Sequence, residues 1–264
     1  MNTTPRISVV MPVKDRFELA SIAIESVLNQ ISTIDELIIV DDESTISAEN
    51  YFQEIKRRGA AKAIAIRFLR NDTNCGVSAS RNRGFHASQG DVVCFCDSDD
   101  FWTPYKISHV RRVFEDEKIK IYFHAFLWAY GTLWLFKLFP RERLLKLPRF
   151  MIVIFGFLNP SCLSLRRETF GEGFNENMRY HEDLDFVLTM SFNYSIYFFN
   201  FPFMNMGRPP GSTGGATEND MSMRVGAIAA LRRLQGCIGL KIIAAVKIKY
   251  HQLKCLQTKQ SIKV

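Results

Sequence analysis

Two aspartates separated by a single residue, Asp97 and Asp99, directly follow an apolar run at 92–96. Carboxylates at positions i and i+2 can converge on one hard cation such as Mg²⁺ or Mn²⁺, and that cation can bridge to phosphate oxygens. The same residues also fit a solvated aspartate-rich turn in which Asp100 caps the next helix. The tripeptide alone fits either interpretation, and the surrounding pattern favours the metal site.

Two more acidic or polar groups follow other apolar runs. Asp41, after the run at 36–40, can accept hydrogen bonds from a base or a ribose, or it can close a local turn. The segment that begins at Pro12 and contains Asp15 closes the first apolar run. It either borders a nucleotide base or forms an ordinary turn between a strand and a helix.

A third acidic group, Glu182 and Asp183, stands at a predicted helix start after a loop rich in Gly and Asn. Either carboxylate can act as a general base. Acidic residues also favour helix N-termini because of the helix dipole, which accounts for the same residues. The neighbouring His181 is interpreted as a surface or capping residue.

Arg81 and Arg83 lie on an early helical turn, after small residues at 74–80 that would let the backbone approach a ligand. Arginine matches the geometry of phosphate, and a helix N-terminus adds a favourable dipole. The alternative is that Arg81 pairs with a nearby aspartate while Arg83 faces solvent. A contact to the donor phosphate is the favoured prediction for Arg81.

Alternating strand and helix patterns position these groups. Short β-branched runs predict strands at 7–11, 36–40, 63–69 and 91–96 with helices between them, and later strands at 160–165 and 195–199. This alternation predicts an α/β fold with a single, mostly parallel, doubly wound sheet. Ligands bind such sheets beyond the carboxyl ends of the strands, where the acidic groups fall.

The net charge of +7 belongs mainly to the end of the chain, from Arg224 onwards. We predict one main domain at 1–222 and a basic amphipathic helical tail at 223–264. Leu231, Leu234, Ile238, Ile242 and Ala245 would form its apolar face. The tail either packs against the main domain or lies on an anionic membrane surface.

Other features suggest a cytoplasmic setting. The N-terminus lacks a basic segment followed by a long apolar run, so no signal peptide is expected. Six cysteines without paired spacing indicate reduced core thiols. The aromatic segment at 119–139 is marginal in length for spanning a bilayer core of about 30 Å, and a buried or membrane-facing helix is the favoured prediction.

Five segments, in this order, resemble the family 2 glycosyltransferases with the A-type nucleotide-sugar-binding fold. They are ISVVMPVKDR, ELIIVDDEST, NCGVSASRNRGFHASQGDVVCFCDSDD, NPSCLSLRR and HEDLDF. The resemblance covers roughly residues 5–200. It implies that the N-terminal half binds a nucleotide diphosphate sugar, with UDP favoured, and that the C-terminal half binds the acceptor.

The resemblance also implies a role for each acidic residue. Asp41 would hold the base, Asp97 the ribose or the metal shell, and Asp99 the metal, Mn²⁺ or Mg²⁺. Asp183 would be the catalytic base in an inverting mechanism, with Glu182 as the alternative base. The candidate nucleotide-sugar-binding residues are therefore Pro12, Asp15, Asp41, Arg81 and Asp97.

This sequence departs from the family pattern at three places. Asp15 stands where relatives often have asparagine, and Glu43 stands where a glycine is usual. The segment at 207–213 resembles the family's closing loop but lacks the histidine found there in many relatives. It offers Arg208 instead, which is a candidate for contact with the diphosphate.

We therefore predict an inverting transferase that moves a sugar to a hydroxyl of a glycan or lipid-linked acceptor. By analogy, its setting would be the inner face of the cell membrane, in the biosynthesis of a surface polysaccharide. A metal-dependent nucleotidyltransferase is one alternative, although we find no glycine-rich P-loop. A basic nucleic-acid-binding protein is the other, but an acidic crevice would repel that ligand, so no nucleic acid is expected.

Overall fold

The computed structural model describes residues 4–45, 49–126, 140–155, 159–207, 220–233, 243–252 and 254. The strands in these ranges are β1 (Ile7–Val13), β2 (Glu36–Asp41), β3 (Ala65–Arg70), β4 (Val92–Phe95), β5 (Asp100–Trp102), β6 (Ile121–Phe126), β7 (Leu144–Leu147), β8 (Leu163–Arg166) and β9 (Ile196–Met206). The helices are α1 (Phe17–Leu28), α2 (Glu49–Ala61), α3 (Val77–Ala87), α4 (Lys106–Val113), α5 (Arg149–Phe155), α6 (Glu182–Met190) and α7 (Asp220–Arg232). Residues 243–252 are also helical, and Pro160–Cys162 and Arg167–Thr169 are 3₁₀ turns.

The strands form one mixed sheet in the order β3-β2-β1-β4-β8-β6-β9-β5, and β7 pairs with β9. The first four strands of this order are mutually parallel. Strand β8 then runs antiparallel to both of its neighbours, β4 and β6, and β9 is parallel to β6. The predicted α/β fold with a single sheet is confirmed, and the reversal at β8 places the start of that strand beside the end of β4.

Three strands of the parallel half are buried on both faces, whereas the edge strand β3 is partly exposed. Strands β1, β2 and β4 are continuous runs of buried residues, as expected where helices cover both sides of parallel strands. The predicted apolar stripe of α1 is buried, and it consists of Ala20, Ala23, Ile24, Val27 and Leu28. A Cβ at Gly84 would lie 2.4 Å from Cγ1 of Val10, so glycine lets α3 approach the sheet closely.

The aromatic segment at 119–139 differs from its prediction. Residues 121–126 form the buried strand β6 rather than a helix, because the run pairs with β8 on one side and β9 on the other. Residues 127–139 lie outside the described part of the chain. Within the described ranges, no helix combines the length and the apolar character needed to cross a membrane.

The basic tail begins as a helix that contacts the sheet domain. Ala227, Ala230 and Leu231 of α7 are buried, and so is Ala244 in the helical stretch at 243–252. A Cβ at Gly226 would lie 2.5 Å from the carbonyl oxygen of Tyr180, so α7 lies directly on the loop before α6. The division of the chain at 222/223 stays a prediction, and Leu234, Ile238 and Ile242 fall outside the described residues.

Candidate active site

The turn at 97–100 lies where β4 ends and is held by the 3₁₀ turn before β8. The backbone N–H of Asp97 donates to the Ser161 hydroxyl at 2.8 Å, and the Asn159 amide donates to an Asp100 carboxylate oxygen at 3.2 Å. From the other side, the N–H of Gly207 donates to the Asp99 carbonyl oxygen at 2.7 Å. A Cβ at Gly207 would lie 2.3 Å from that oxygen, so only glycine fits.

Arg81 joins this turn to the start of α6. One terminal nitrogen of its guanidinium lies 2.7 and 2.9 Å from the two carboxylate oxygens of Asp97, and the other donates to Glu182 at 2.9 Å. Arg81 is only 2 % exposed. The structure therefore pairs Arg81 with acidic residues, as the alternative interpretation expected, and a direct contact to the donor phosphate stays a prediction.

Asp97, Asp100 and Asp183 have raised pKa values. Burial is the largest cause in each case, and neighbouring acidic residues add to it. Together these effects raise the pKa of Asp100 and of Asp183 to about 8. Because the acidic residues repel one another at short range, this edge of the sheet favours a bound cation.

Glu182 and Asp183 are adjacent but have different partners. Glu182 is held by Arg81, whereas Asp183 accepts a hydrogen bond from the backbone N–H of Leu184 at 2.7 Å. His181 occupies the N-cap position of α6 with a positive φ of 58°, and its side chain makes no capping hydrogen bond. Burial lowers the pKa of His181 to about 4, so its ring is neutral near pH 7.

Asp41 lies at the end of β2 and is completely buried. One of its carboxylate oxygens accepts hydrogen bonds from the backbone N–H and the hydroxyl of Ser44, and the other lies 2.5 Å from Arg70. Its contact to the nucleotide base stays a prediction. Pro12 is likewise buried inside β1, opposite Val40, and its role beside the base is also untested.

Asp42 has a structural role that was not predicted from the sequence. Its carboxylate accepts hydrogen bonds from the Asn71 amide at 2.8 Å and from the backbone N–H groups of Cys75 and Gly76 at 2.8 and 2.9 Å. It thereby fastens the loop before α3 to the end of β2. Arg83 bonds to the side-chain oxygen of Asn71 at 2.6 Å in the same loop.

The two departures from the family pattern after β1 and β2 share a backbone conformation. Asp15 has a φ of 50° and Glu43 a φ of 58°, a left-handed region that favours glycine and asparagine. Asp15 accepts hydrogen bonds from the N–H and hydroxyl of Thr45 at 2.8 and 2.7 Å, and these bonds lower its pKa. Both turns therefore have a shape that asparagine and glycine adopt readily.

Comparison with known proteins decides the family. Residues 8–174, more than half of the chain, match the sequence profile described as Glycosyl transferase family 2. The chain belongs to this family. The resemblance inferred from the sequence is confirmed, and with it the glycosyltransferase class.

Some relatives of the chain carry names from polysaccharide biosynthesis. The chain is 40% identical over 129 residues to the "Putative colanic acid biosynthesis glycosyl transferase WcaA" of Escherichia coli (strain K12), covering 49% of this chain and 43% of that protein. It is 26% identical over 189 residues to the "Amylovoran biosynthesis glycosyltransferase AmsB" of Erwinia amylovora, covering 69% and 62%. The chain thus spans less than two thirds of the length of either relative.

Solved structures show the same fold. S. aureus TarS 1-349 in complex with UDP-GlcNAc superposes with a TM-score of 0.72 at 17% identity, covering 98% of this chain and 76% of that chain. The mannosyltransferase PcManGT from Pyrobaculum calidifontis, in complex with GDP-Man and Mn2+, gives 0.71 at 14%, covering 93% and 70%. At these identities the likeness concerns the fold, which is the A-type fold predicted from the sequence.

The residues present fit a metal ion that is shared with a substrate. Among the described residues, no group of three or more His, Cys, Asp or Glu side chains could hold a metal on its own. Asp97 and Asp99 are hard oxygen donors on one turn, and Mg²⁺ in such sites often binds one or two carboxylates together with substrate phosphates. The candidate closing loop at 208–213, including Arg208, lies outside the described residues.

Proposed function

We propose that the protein is an inverting glycosyltransferase that transfers a sugar from a nucleotide diphosphate sugar to a hydroxyl of a glycan or lipid-linked acceptor. The observation that carries this proposal is the bridge made by Arg81. It joins Asp97, in the turn predicted to bind the nucleotide-sugar donor, to Glu182, which is adjacent to the predicted catalytic base Asp183. This contact supports a donor site that lies beside a proton acceptor.

Asp97 and Asp99 would hold Mn²⁺ or Mg²⁺ together with the diphosphate of the donor. When bound, such an ion neutralises the charge that develops on the departing diphosphate. The Mn2+ in the complex of PcManGT with GDP-Man supports this choice of cofactor, and the UDP-GlcNAc of TarS supports a UDP-sugar as donor. Asp15 and Asp41 hold the loops after β1 and β2 through their hydrogen bonds. These loops would border the base of the nucleotide.

Asp183 is the proposed catalytic base, because Arg81 already engages Glu182. As the acceptor oxygen forms its bond to the anomeric carbon, the Asp183 carboxylate takes the hydroxyl proton. The bond from that carbon to the diphosphate breaks, and its electron pair leaves with the diphosphate. One displacement inverts the anomeric centre. Since the pKa of Asp183 is about 8, transfer should become faster as the pH rises towards that value.

The proposed setting is the biosynthesis of a surface polysaccharide, supported by the names of WcaA and AmsB. The main domain at 1–222 would carry the chemistry, with the acceptor bound by its C-terminal half. The tail at 223–264 would hold the enzyme peripherally at the inner face of the membrane. Its basic residues and the exposed Val246 and Tyr250 support that placement.

The deciding experiment measures nucleotide release from UDP-, GDP- and dTDP-sugars with Mn²⁺, for the wild type and Asp99→Ala. The proposal expects a nucleoside diphosphate from one donor, dependent on metal and lost in Asp99→Ala. Pyrophosphate release from a nucleoside triphosphate would instead favour a nucleotidyltransferase. If no donor is bound or turned over with any candidate acceptor, the proposal fails. The family match favours the transferase over both alternatives.

A further inference from the structure

A lysine with no solvent exposure lies near the turn at 97–100, which we call the acidic turn. Lys106, the first residue of α4, is 0 % exposed. Its ammonium donates to the Ser161 carbonyl oxygen at 2.5 Å and stands 3.6 Å from the centre of the Trp102 ring. Burial lowers the pKa of Lys106 from its ordinary value, which shows that the site disfavours the charge. A methionine would fill the same space without that cost, so the amine needs an explanation beyond packing.

Ser161 connects Lys106 to the acidic turn. Its carbonyl oxygen accepts from Lys106, and its hydroxyl accepts from the backbone N–H of Asp97 at 2.8 Å. The backbone N–H of Ser161 donates to the side-chain oxygen of Asn159 at 2.7 Å, and the Asn159 amide reaches Asp100. Lys106 therefore holds the 3₁₀ turn that in turn fixes both ends of the acidic turn.

The position of Lys106 also suits the electrostatics of the turn. The Asp100 carboxylate lies close enough to favour the charged form of the lysine. Arg81 binds the Asp97 carboxylate from α3. Lys106 reaches the same turn indirectly, through Ser161.

We propose that Lys106 is a positioning residue that acts through Ser161 to fix the turn at 97–100 in the geometry that takes up a divalent cation with the donor diphosphate. This inference rests on the proposed function, since it assumes that the turn binds a metal and a diphosphate. It adds a residue that touches neither ligand. Residues that orient metal ligands typically change metal affinity 10- to 100-fold when they are removed.

The test compares Lys106→Met with the wild type, using Lys120→Met as a matched control because Lys120 pairs with Glu168 on the surface. The readouts are the dissociation constant of Mn²⁺ in the presence of UDP, the Mn²⁺ dependence of transfer, and the thermal midpoint. We expect Mn²⁺ to bind about 10-fold more weakly to Lys106→Met, with most of kcat recovered at saturating Mn²⁺ and an unchanged KM for the acceptor. A folded Lys106→Met that binds Mn²⁺ as tightly as the wild type would overturn the proposal.

Ser161→Ala provides a second route, which also serves if Lys106→Met does not fold. It keeps the lysine and the carbonyl but removes the hydroxyl that holds Asp97. We expect a similar loss of Mn²⁺ affinity, and in the double variant less than the product of the two single losses. Unchanged Mn²⁺ affinity in Ser161→Ala, or fully independent losses, would contradict the proposal.

Failure of the proposed function gives a different result. If the wild type binds Mn²⁺ with UDP but transfers no sugar, the proposed function is wrong, while the affinity of the two variants still decides the role of Lys106. If the wild type binds no Mn²⁺ in the presence of UDP, both proposals are overturned.

Discussion

The acidic residues of the candidate site form two groups with different surroundings. We call the loops after β1 and β2 the nucleotide edge, and the turn at 97–100 with the start of α6 the reaction edge. At the nucleotide edge, Asp15, Asp41 and Asp42 bind local hydroxyls, amides and backbone N–H groups, and Asp41 also binds Arg70. At the reaction edge, Asp97 and Asp183 are half-buried and lie close to other acidic residues.

The difference shows that carboxylates of similar sequence context can have different surroundings. Those of the nucleotide edge hold their loops through local hydrogen bonds, so binding of the proposed nucleotide there would require little rearrangement. At the reaction edge, burial and the neighbouring acidic residues raise the pKa values of the carboxyl groups, and a divalent cation would relieve the repulsion between them. Substitutions at the two edges should therefore affect different measured quantities.

The largest expected effect is on catalysis at the reaction edge. Asp183→Asn removes the proposed base and should lower kcat by about 10²- to 10⁴-fold, with little change in donor affinity. The measurement is initial-rate kinetics of nucleoside diphosphate release with a saturating acceptor. Asp185→Asn is the matched control on the same helix, because Asp185 pairs with Arg233 instead. Equal losses in both variants would argue against Asp183 as the base.

Substitutions of two arginines compare how much each edge contributes to the free energy of unfolding. Arg81→Met leaves Asp97 and Glu182 buried without their cation and should cost about 3–5 kcal/mol of unfolding free energy. Arg70→Met should cost less, about 1–3 kcal/mol, because Arg70 itself is 44% exposed and the buried Asp41 keeps its hydrogen bonds from Ser44. Chemical denaturation measures both values. Equal costs would show that the two edges do not differ.

The pH dependence of stability should have opposite signs at the two edges. The pKa of Asp183 is raised to about 8, so its folded form binds protons more tightly than the unfolded chain. Stability from this group is full below about pH 4 and is lost as the pH rises through about 8. The pKa of Asp15 is lowered by its bonds from Thr45, so its contribution is present above about pH 4 and is lost in acid.

Thermal unfolding of two variants between about pH 3 and pH 9 measures this contrast. Asp183→Asn should flatten the decline towards high pH and stabilise the protein by roughly 2 kcal/mol there, a value below the full shift because neighbouring acidic residues share it. Asp15→Asn should flatten the loss in acid. Parallel pH profiles of the wild type and both variants would contradict the contrast.

The smallest expected effects come from two glycines. In Gly226→Ala the new Cβ would meet the backbone of Tyr180, in the loop that precedes the proposed catalytic base Asp183. Helix α7 should therefore shift, and transfer should slow by about 10-fold. In Gly59→Ala the Cβ would meet the side chain of Ile66, which can move, and transfer should stay within about twofold. Rates and thermal midpoints of both variants provide the test.

Much of the fold was predictable because it depends on local patterns. The buried runs of β1, β2 and β4 and the apolar stripe of α1 are set by side-chain period, and they appear where the sequence predicts them. Strand β6 was predicted as a helix, because a dense aromatic run has no clear period and its pairing partners are distant in sequence.

The sequence predicted a set of candidate site residues but not their contacts. That Asp41, Asp97, Asp99 and Asp183 would gather at one edge follows from their places at strand ends and a helix start. Their individual roles stay predictions.

The sequence by itself determined the family and the fold class, because five motifs in register and the alternation of strand and helix are local properties of the chain. Only the tertiary structure decided which side chains contact one another. Arg81 contacts Glu182 across 101 positions of sequence, and Lys106 reaches Ser161 across 55. Hydrogen bonds and charge effects act over a few ångströms, so they depend on which distant segments the folded sheet brings together.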